Sequence, residues 1–153
     1  MVFVYACDHH FFDALMASLV SLVSRFHYSY KKIIVYDLDG ISDDPHKVEE
    51  LGRVCNLELR RFNYTGLPPH VKVLKHFAWK IFVEAEVLAE HDFVIYMDTS
   101  VFFLENDYAD YFDLIGKGVL SSIQFTRHTS HGIKFATLPG ISPFDCIGVA
   151  HSL

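Results

Sequence analysis

The chain has 153 residues, of which 51% are apolar and 15% aromatic, which argues against a disordered segment and fits a single domain, 1–153, with a buried core. Its 13 Lys and Arg stand against 19 Asp and Glu, a net charge of −6. Binding a nucleic acid polymer needs clustered cations, so no such partner is expected. A phosphate ligand bridged by a divalent cation stays compatible with this balance.

The first apolar run, VFVYA at 2–6, is too brief for a helix and is closed by Cys-Asp-His-His, so it reads as a strand. No basic n-region precedes it, so no signal peptide is expected: the chain is a soluble intracellular one, or its N-terminus has been trimmed. From Phe12 the apolar positions 12, 15, 16, 19, 20, 23 and 26 fall on one face of a long helix, with Asp8 or Asp13 as its cap. The most apolar part of that helix, 14–23, is too short to span a membrane and lies between Asp13 and Arg25. IIVY at 33–36 is a second strand, and DDPHKVEELGRV opens with acids and a Pro suited to a first helical turn. LELRRF at 57–62 alternates as an edge strand does, and NYTGLPPH after it is punctuation. Asn63-Tyr64-Thr65 in that loop matches the N-glycosylation acceptor pattern.

A second long helix is expected over 73–91, with 74, 77, 78, 81, 85 and 88 as its apolar face. Trp79 lies one position off that stripe and is read as packing. FVIYM at 93–97 is apolar throughout, the pattern of a strand covered on both sides. After Asp-Thr-Ser come VFFL, a short helix near 107–115, a strand near 119–125 and a loop-rich tail containing His128 and His131, read as structural or solvated. Cys7, Cys55 and Cys146 lack metal-type spacing and are read as buried or free thiols. The βαβαβαβ order predicts an α/β fold with a mostly parallel sheet and helices on both faces. Ligands of such sheets bind beyond the carboxyl ends of the strands, where Asp8, Asp37 and Asp98 fall.

Two resemblances bear on these acids. IIVYDLDG at 33–40 resembles the opening strand of haloacid-dehalogenase-like phosphatases, which would make Asp37 the nucleophile and Asp39 a general acid. However, Ile-Ser follows Gly40, the strand at 93–97 ends in a single acid, and a whole β-α unit precedes the motif. The segment AWKIFVEAEVLAEHDFVIYMDTSVFFL at 78–104, with KKIIVYDLDGIS before it, resembles the GT-A type nucleotide-diphospho-sugar transferases. In that family a helix with Trp and Lys leads into a buried strand ending in Asp-x-Asp. The likeness covers 2–150 and is nearest an invertebrate branch whose strand ends in Asp-Thr-Ser or Asp-Ser-Ser.

The resemblance implies a Rossmann-like GT-A three-layer sandwich, truncated at its C-terminus because members continue past this length. It implies a glycosyltransferase that takes a nucleotide-sugar donor and passes the sugar to an unidentified sugar, protein or lipid acceptor. Cys7 and Asp8 would cradle the nucleobase, and Asp37 or Asp39 would accept a hydrogen bond from base or ribose. Lys80 would either reach a phosphate as a point charge or stay solvated. Asp98 would face a manganese or magnesium ion, held weakly because Ser100 replaces the second carboxylate. The resemblance also implies the Golgi lumen if the chain belongs to an anchored protein, and otherwise the cytoplasm. The part that supplies a catalytic base lies beyond this length, and a degenerate, non-catalytic copy of the fold is the alternative.

Overall fold

Four apolar runs separated by helices can pair in parallel only through crossovers, and the chain does so. The structure is a computed structural model, and it describes residues 2–26 and 31–104. In chain order these form β1 (Val2–Asp8), α1 (Phe12–Phe26), β2 (Lys32–Asp39), α2 (Pro45–Gly52), β3 (Leu57–Arg61), α3 (Trp79–Leu88) and β4 (Val94–Met97). The sheet order is β3-β2-β1-β4, every pair parallel. This is a Rossmann-like α/β arrangement, and 2–6, 33–36 and 93–97 are neighbours as expected. The helix and strand expected near 107–115 and 119–125 lie outside the described residues, as do Cys146, His128 and His131.

Strand alternation divides the core into two layers. Phe3, Tyr5, Cys7, Ile33 and Val35 face Leu15, Leu19 and Leu22 of α1 and Leu51 of α2. Val2, Val4, Ala6, Ile34, Tyr36 and Leu38 face Trp79, Val83 and Val87 of α3. Within α1 the stripe takes in a residue that polarity alone would exclude. Ser18 is fully buried; its Oγ donates to the Val101 carbonyl at 2.6 Å and pairs with the Tyr5 hydroxyl at 3.2 Å. One turn on, Ser21 Oγ accepts the Phe103 N–H at 3.1 Å. Two serines thus fasten the segment after β4 to α1, and Phe103 meets Phe3 edge-on. Cys7 is a free thiol, and burial pushes its pKa up to about 12. Cys55, expected to be a free or buried thiol, sits half-buried in the turn before β3 and is disulfide-bonded.

The second long helix departs from expectation in extent and in face. A 3-10 turn covers Leu74–His76, Phe77 takes a left-handed φ of 54°, and α3 starts only at Trp79. The buried positions are Trp79, Val83 and Val87, whereas Ile81 is 72% and Leu88 55% exposed. Of the face read from 74, 77, 78, 81, 85 and 88, Leu74 and Ala78 pack against the inner layer, whereas 77, 81, 85 and 88 are exposed. The helix is apolar on both sides, so spacing alone could not choose. The indole Nε1 finds the Leu74 carbonyl at 3.1 Å, which allows the largest side chain of the segment to be buried with its polar atom satisfied.

Arg60 on the edge strand ties β3 to the turn that follows α3, and lies 3.9 Å from Glu86 within that helix. Its guanidinium donates to both carboxylate oxygens of Glu90, at 2.8 and 2.7 Å, to Glu58 at 2.7 Å and to the Tyr36 hydroxyl at 3.1 Å. Lys32 also pairs with Glu58. The Arg60 hydrogen bond first, and then that from Lys32, holds the Glu58 carboxyl down at about 2.

Two predictions follow from the packing and the charge network. Trp79→Ala should cost about 3–5 kcal/mol in chemical denaturation, while Ile81→Gln should stay within about 0.5 kcal/mol of wild type; equal losses would put the wrong face inside. A carboxyl lowered from 4.5 to about 2 contributes stability that is fully present above the unfolded value and lost as pH falls through that window. Thermal melts between these two pH values should therefore fall more steeply for wild type than for Glu58→Gln.

Candidate functional site

Because all four strands run the same way, their carboxyl ends and the following loops share one edge, and the order turns back at β1, the place where such sheets bind ligands. The acids expected there divide into two kinds. Asp8 caps the 3-10 turn at 9–11, its Oδ1 accepting the His10 N–H at 2.9 Å. Asp37 is only 2% exposed. Its Oδ1 accepts the Ile41 N–H at 3.0 Å and its Oδ2 the Ser42 N–H at 2.7 Å, with Arg61 Nε 4.0 Å away. These two acids hold loops. A nucleophile must reach phosphorus, and a buried carboxylate already bound to two backbone donors does not favour the phosphatase role for Asp37.

The Asp-Leu-Asp-Gly sequence is instead a device for leaving the strand. Gly40 has φ +78°, and a Cβ there would stand 2.9 Å from His9 Nδ1. Glycine meets both conditions. The turn brings the Asp39 carbonyl within 3.3 Å of His9 Nδ1 and leaves the Asp39 side chain exposed.

Asp39 lines a pocket of about 260 Å³ with Leu38, Tyr64, Lys72 and Leu74. Tyr64 stacks edge-on against Phe62 at 4.7 Å and donates to the Leu38 carbonyl at 3.2 Å. Its pKa is raised to about 12 by burial first and then by Asp39, Asp37 and Asp8. None of Tyr64, Lys72 and Leu74 is legible as a site residue: Tyr64 reads only as the middle of the Asn63-Tyr64-Thr65 pattern, Lys72 follows a loop read as punctuation, and Leu74 reads as part of a helix face. The nearby Asn63 is exposed, and its Oδ1 accepts the Thr65 N–H.

A cation stands at the carboxyl end of β4. Lys80 Nζ lies 2.6 Å from Asp98 Oδ1 and over the rings of Phe77, Tyr96 and Trp79, at 5.0, 5.2 and 5.7 Å from their centroids. Asp98 follows Met97, the residue of β4 that pairs with Tyr5 of β1. Ser100 is exposed in the turn closed by the Val101 N–H to the Asp98 carbonyl. The structure thus brings Lys80 and Asp98 together, places Asp39 on the pocket, and assigns the carboxylates of Asp8 and Asp37 to backbone groups. Cys7 is buried behind Asp8 and does not reach the pocket lining.

A family model described as "Protein of unknown function (DUF1647)" matches residues 1–85. The chain belongs to that family. The DUF1647 match takes in Asp39, Tyr64, Lys72 and Lys80 and stops short of β4. No curated protein and no solved structure matches the chain.

The donor set fits a resident divalent ion poorly. Asp98 already shares its oxygen with an ammonium, and Ser100 adds a neutral hydroxyl. A dication on that carboxylate would meet a repulsion of about several kcal/mol from Lys80, even at an effective dielectric of about 20. Among the described residues no group of three or more His, Cys, Asp or Glu is placed to hold a metal. Likewise, among them no helix is long and apolar enough to cross a membrane.

The division of the acids is testable by stability. Asp37→Asn turns an accepting oxygen into a donor facing a backbone N–H, and should cost about 1–3 kcal/mol. Asp39→Asn should change stability by no more than about 0.5 kcal/mol. Chemical denaturation of the two variants checks both, and a larger loss at Asp39 than at Asp37 would reverse the assignment.

Proposed function

We propose that this chain is a GT-A-like glycosyltransferase domain whose edge pocket binds a nucleotide-sugar. The observation that carries this reading is a pocket at the carboxyl end of β2 on the same sheet edge as a fixed cation beside β4. Leu38, Leu74 and the ring of Tyr64 would enclose the base, and Asp39 would accept from a ring N–H or a ribose hydroxyl. The diphosphate would extend from Leu74 toward Lys80. There the ammonium would neutralise charge that grows on the diphosphate as its bond to the sugar carbon breaks, while the acceptor hydroxyl oxygen bonds to that carbon and gives its proton to the departing diphosphate or to water. The open parallel sheet with its reversal at β1 supports the assignment, and so does the Asp-Thr-Ser that ends β4 in the position of the family's Asp-x-Asp. An exposed acceptor asparagine at Asn63 fits a Golgi-lumenal protein.

Isothermal titration with UDP and GDP tests the reading directly. Saturable micromolar binding of one of them is expected. Tyr64→Ala should weaken it about 5- to 100-fold, the worth of a base–aromatic contact, and Asp39→Asn should weaken it as well. No heat with either nucleotide, or binding indifferent to both variants, would overturn the assignment.

A further inference from the structure

The Lys80–Asp98 ion pair stands outside the pocket lining, at the carboxyl end of β4. Resting on the nucleotide-sugar reading, we infer that Lys80 occupies the place of a bridging divalent ion, so that this chain binds its nucleoside diphosphate without metal.

Three observations set Lys80 apart from an ordinary surface lysine. It stands in the first turn of α3, where the helix dipole disfavours a cation, and is kept there by Asp98 at 2.6 Å. Three aromatic rings surround its ammonium, and their negative faces fix it where a flexible stem would otherwise roam. One of those rings belongs to Phe77, held at φ 54° while 59% exposed. Its left-handed φ closes the 3-10 turn, its N–H donating to the Leu74 carbonyl at 3.0 Å, and the same turn leaves the exposed ring beside the ammonium rather than in the core. The side chain of Lys80 is 25% and that of Asp98 54% exposed, so an anion from solvent can reach the pair.

An ammonium bridging Asp98 and a phosphate oxygen performs the electrostatic part of what a dication would do between two anions. It needs one carboxylate rather than two, and Asp-Thr-Ser supplies one. The neutral Ser100 is then a matched feature of the site rather than a defect in it.

The test is titration of the wild-type chain with UDP and GDP in EDTA and in excess manganese. The two dissociation constants should agree within about threefold, and Lys80→Gln should weaken binding in EDTA about 10- to 100-fold, the worth of a hydrogen bond to a charged group. Lys80→Gln should also gain a response to manganese, visible as loss of the free-ion electron paramagnetic resonance signal beyond that caused by the same nucleotide without protein, because Asp98 is released. Lys80→Arg should keep binding in EDTA. Wild-type binding that is lost in EDTA and regained with manganese overturns the inference while leaving the nucleotide reading intact. Absence of binding in both buffers overturns the nucleotide reading and this inference with it. The wild-type comparison decides the matter even if Lys80→Gln does not fold.

Discussion

Parallel pairing on both edges of β1 is the constraint from which the rest of the architecture follows. β2 and β4 are not consecutive, yet both hydrogen-bond to β1 in the same direction. Each must therefore be reached by a crossover, and α1 and α3 cover opposite faces because those crossovers travel to opposite sides of β1. All carboxyl ends then open on one edge. The register does the rest: Cys7 pairs with Asp37, and Asp8 with Asp39 across a bulge, so the two acids of β2 end beside the first loop. A one-residue slip of β2 would exchange Asp37 with Leu38 between the two layers, burying a charge against α3 and emptying the pocket of its floor.

Much of this was legible along the chain, because period and length are local signals. Val2–Asp8 and Val94–Met97 are too short and too apolar for helices, and Phe12–Phe26 has one dominant stripe. The face of α3 was not legible. Ile81, Ala85 and Leu88 form as good a stripe as Trp79, Val83 and Val87, and the choice rests on a carbonyl at Leu74 that the indole can reach only once Phe77 has turned the chain. Ser18 was missed for a similar reason: its burial depends on Tyr5 and on Val101, the latter 83 residues away.

The acidic edge illustrates the same limit. That Asp ends three strands can be read directly, and so can the rule that ligands bind there. What each carboxylate touches depends on where the following loop returns its N–H groups. After β2 the chain doubles back through Gly40 and presents Ile41 and Ser42 to Asp37, which is thereby used up. After β4 the turn closes through the Asp98 carbonyl instead, which leaves the side chain for Lys80. Identical residue types at equivalent strand ends thus hold a loop in one place and a cation in the other.

That asymmetry gives the edge a direction. Asp8, Asp37 and Asp39 gather at the β1–β2 end, and all three act on Tyr64; at the β4 end a single carboxylate is matched by Lys80. A diphosphate would be repelled by the first region and tolerated by the second, while a base with N–H donors finds acceptors and an aromatic wall in the first. The field along the edge would therefore orient the proposed nucleotide with its base toward Tyr64 and its phosphates toward Lys80. Lys72 lies on the pocket beside Asp39 and is exposed, so its charge is screened by solvent. The caged ammonium, less exposed and held in one position, would be the stronger determinant of where the phosphates of the proposed nucleotide settle.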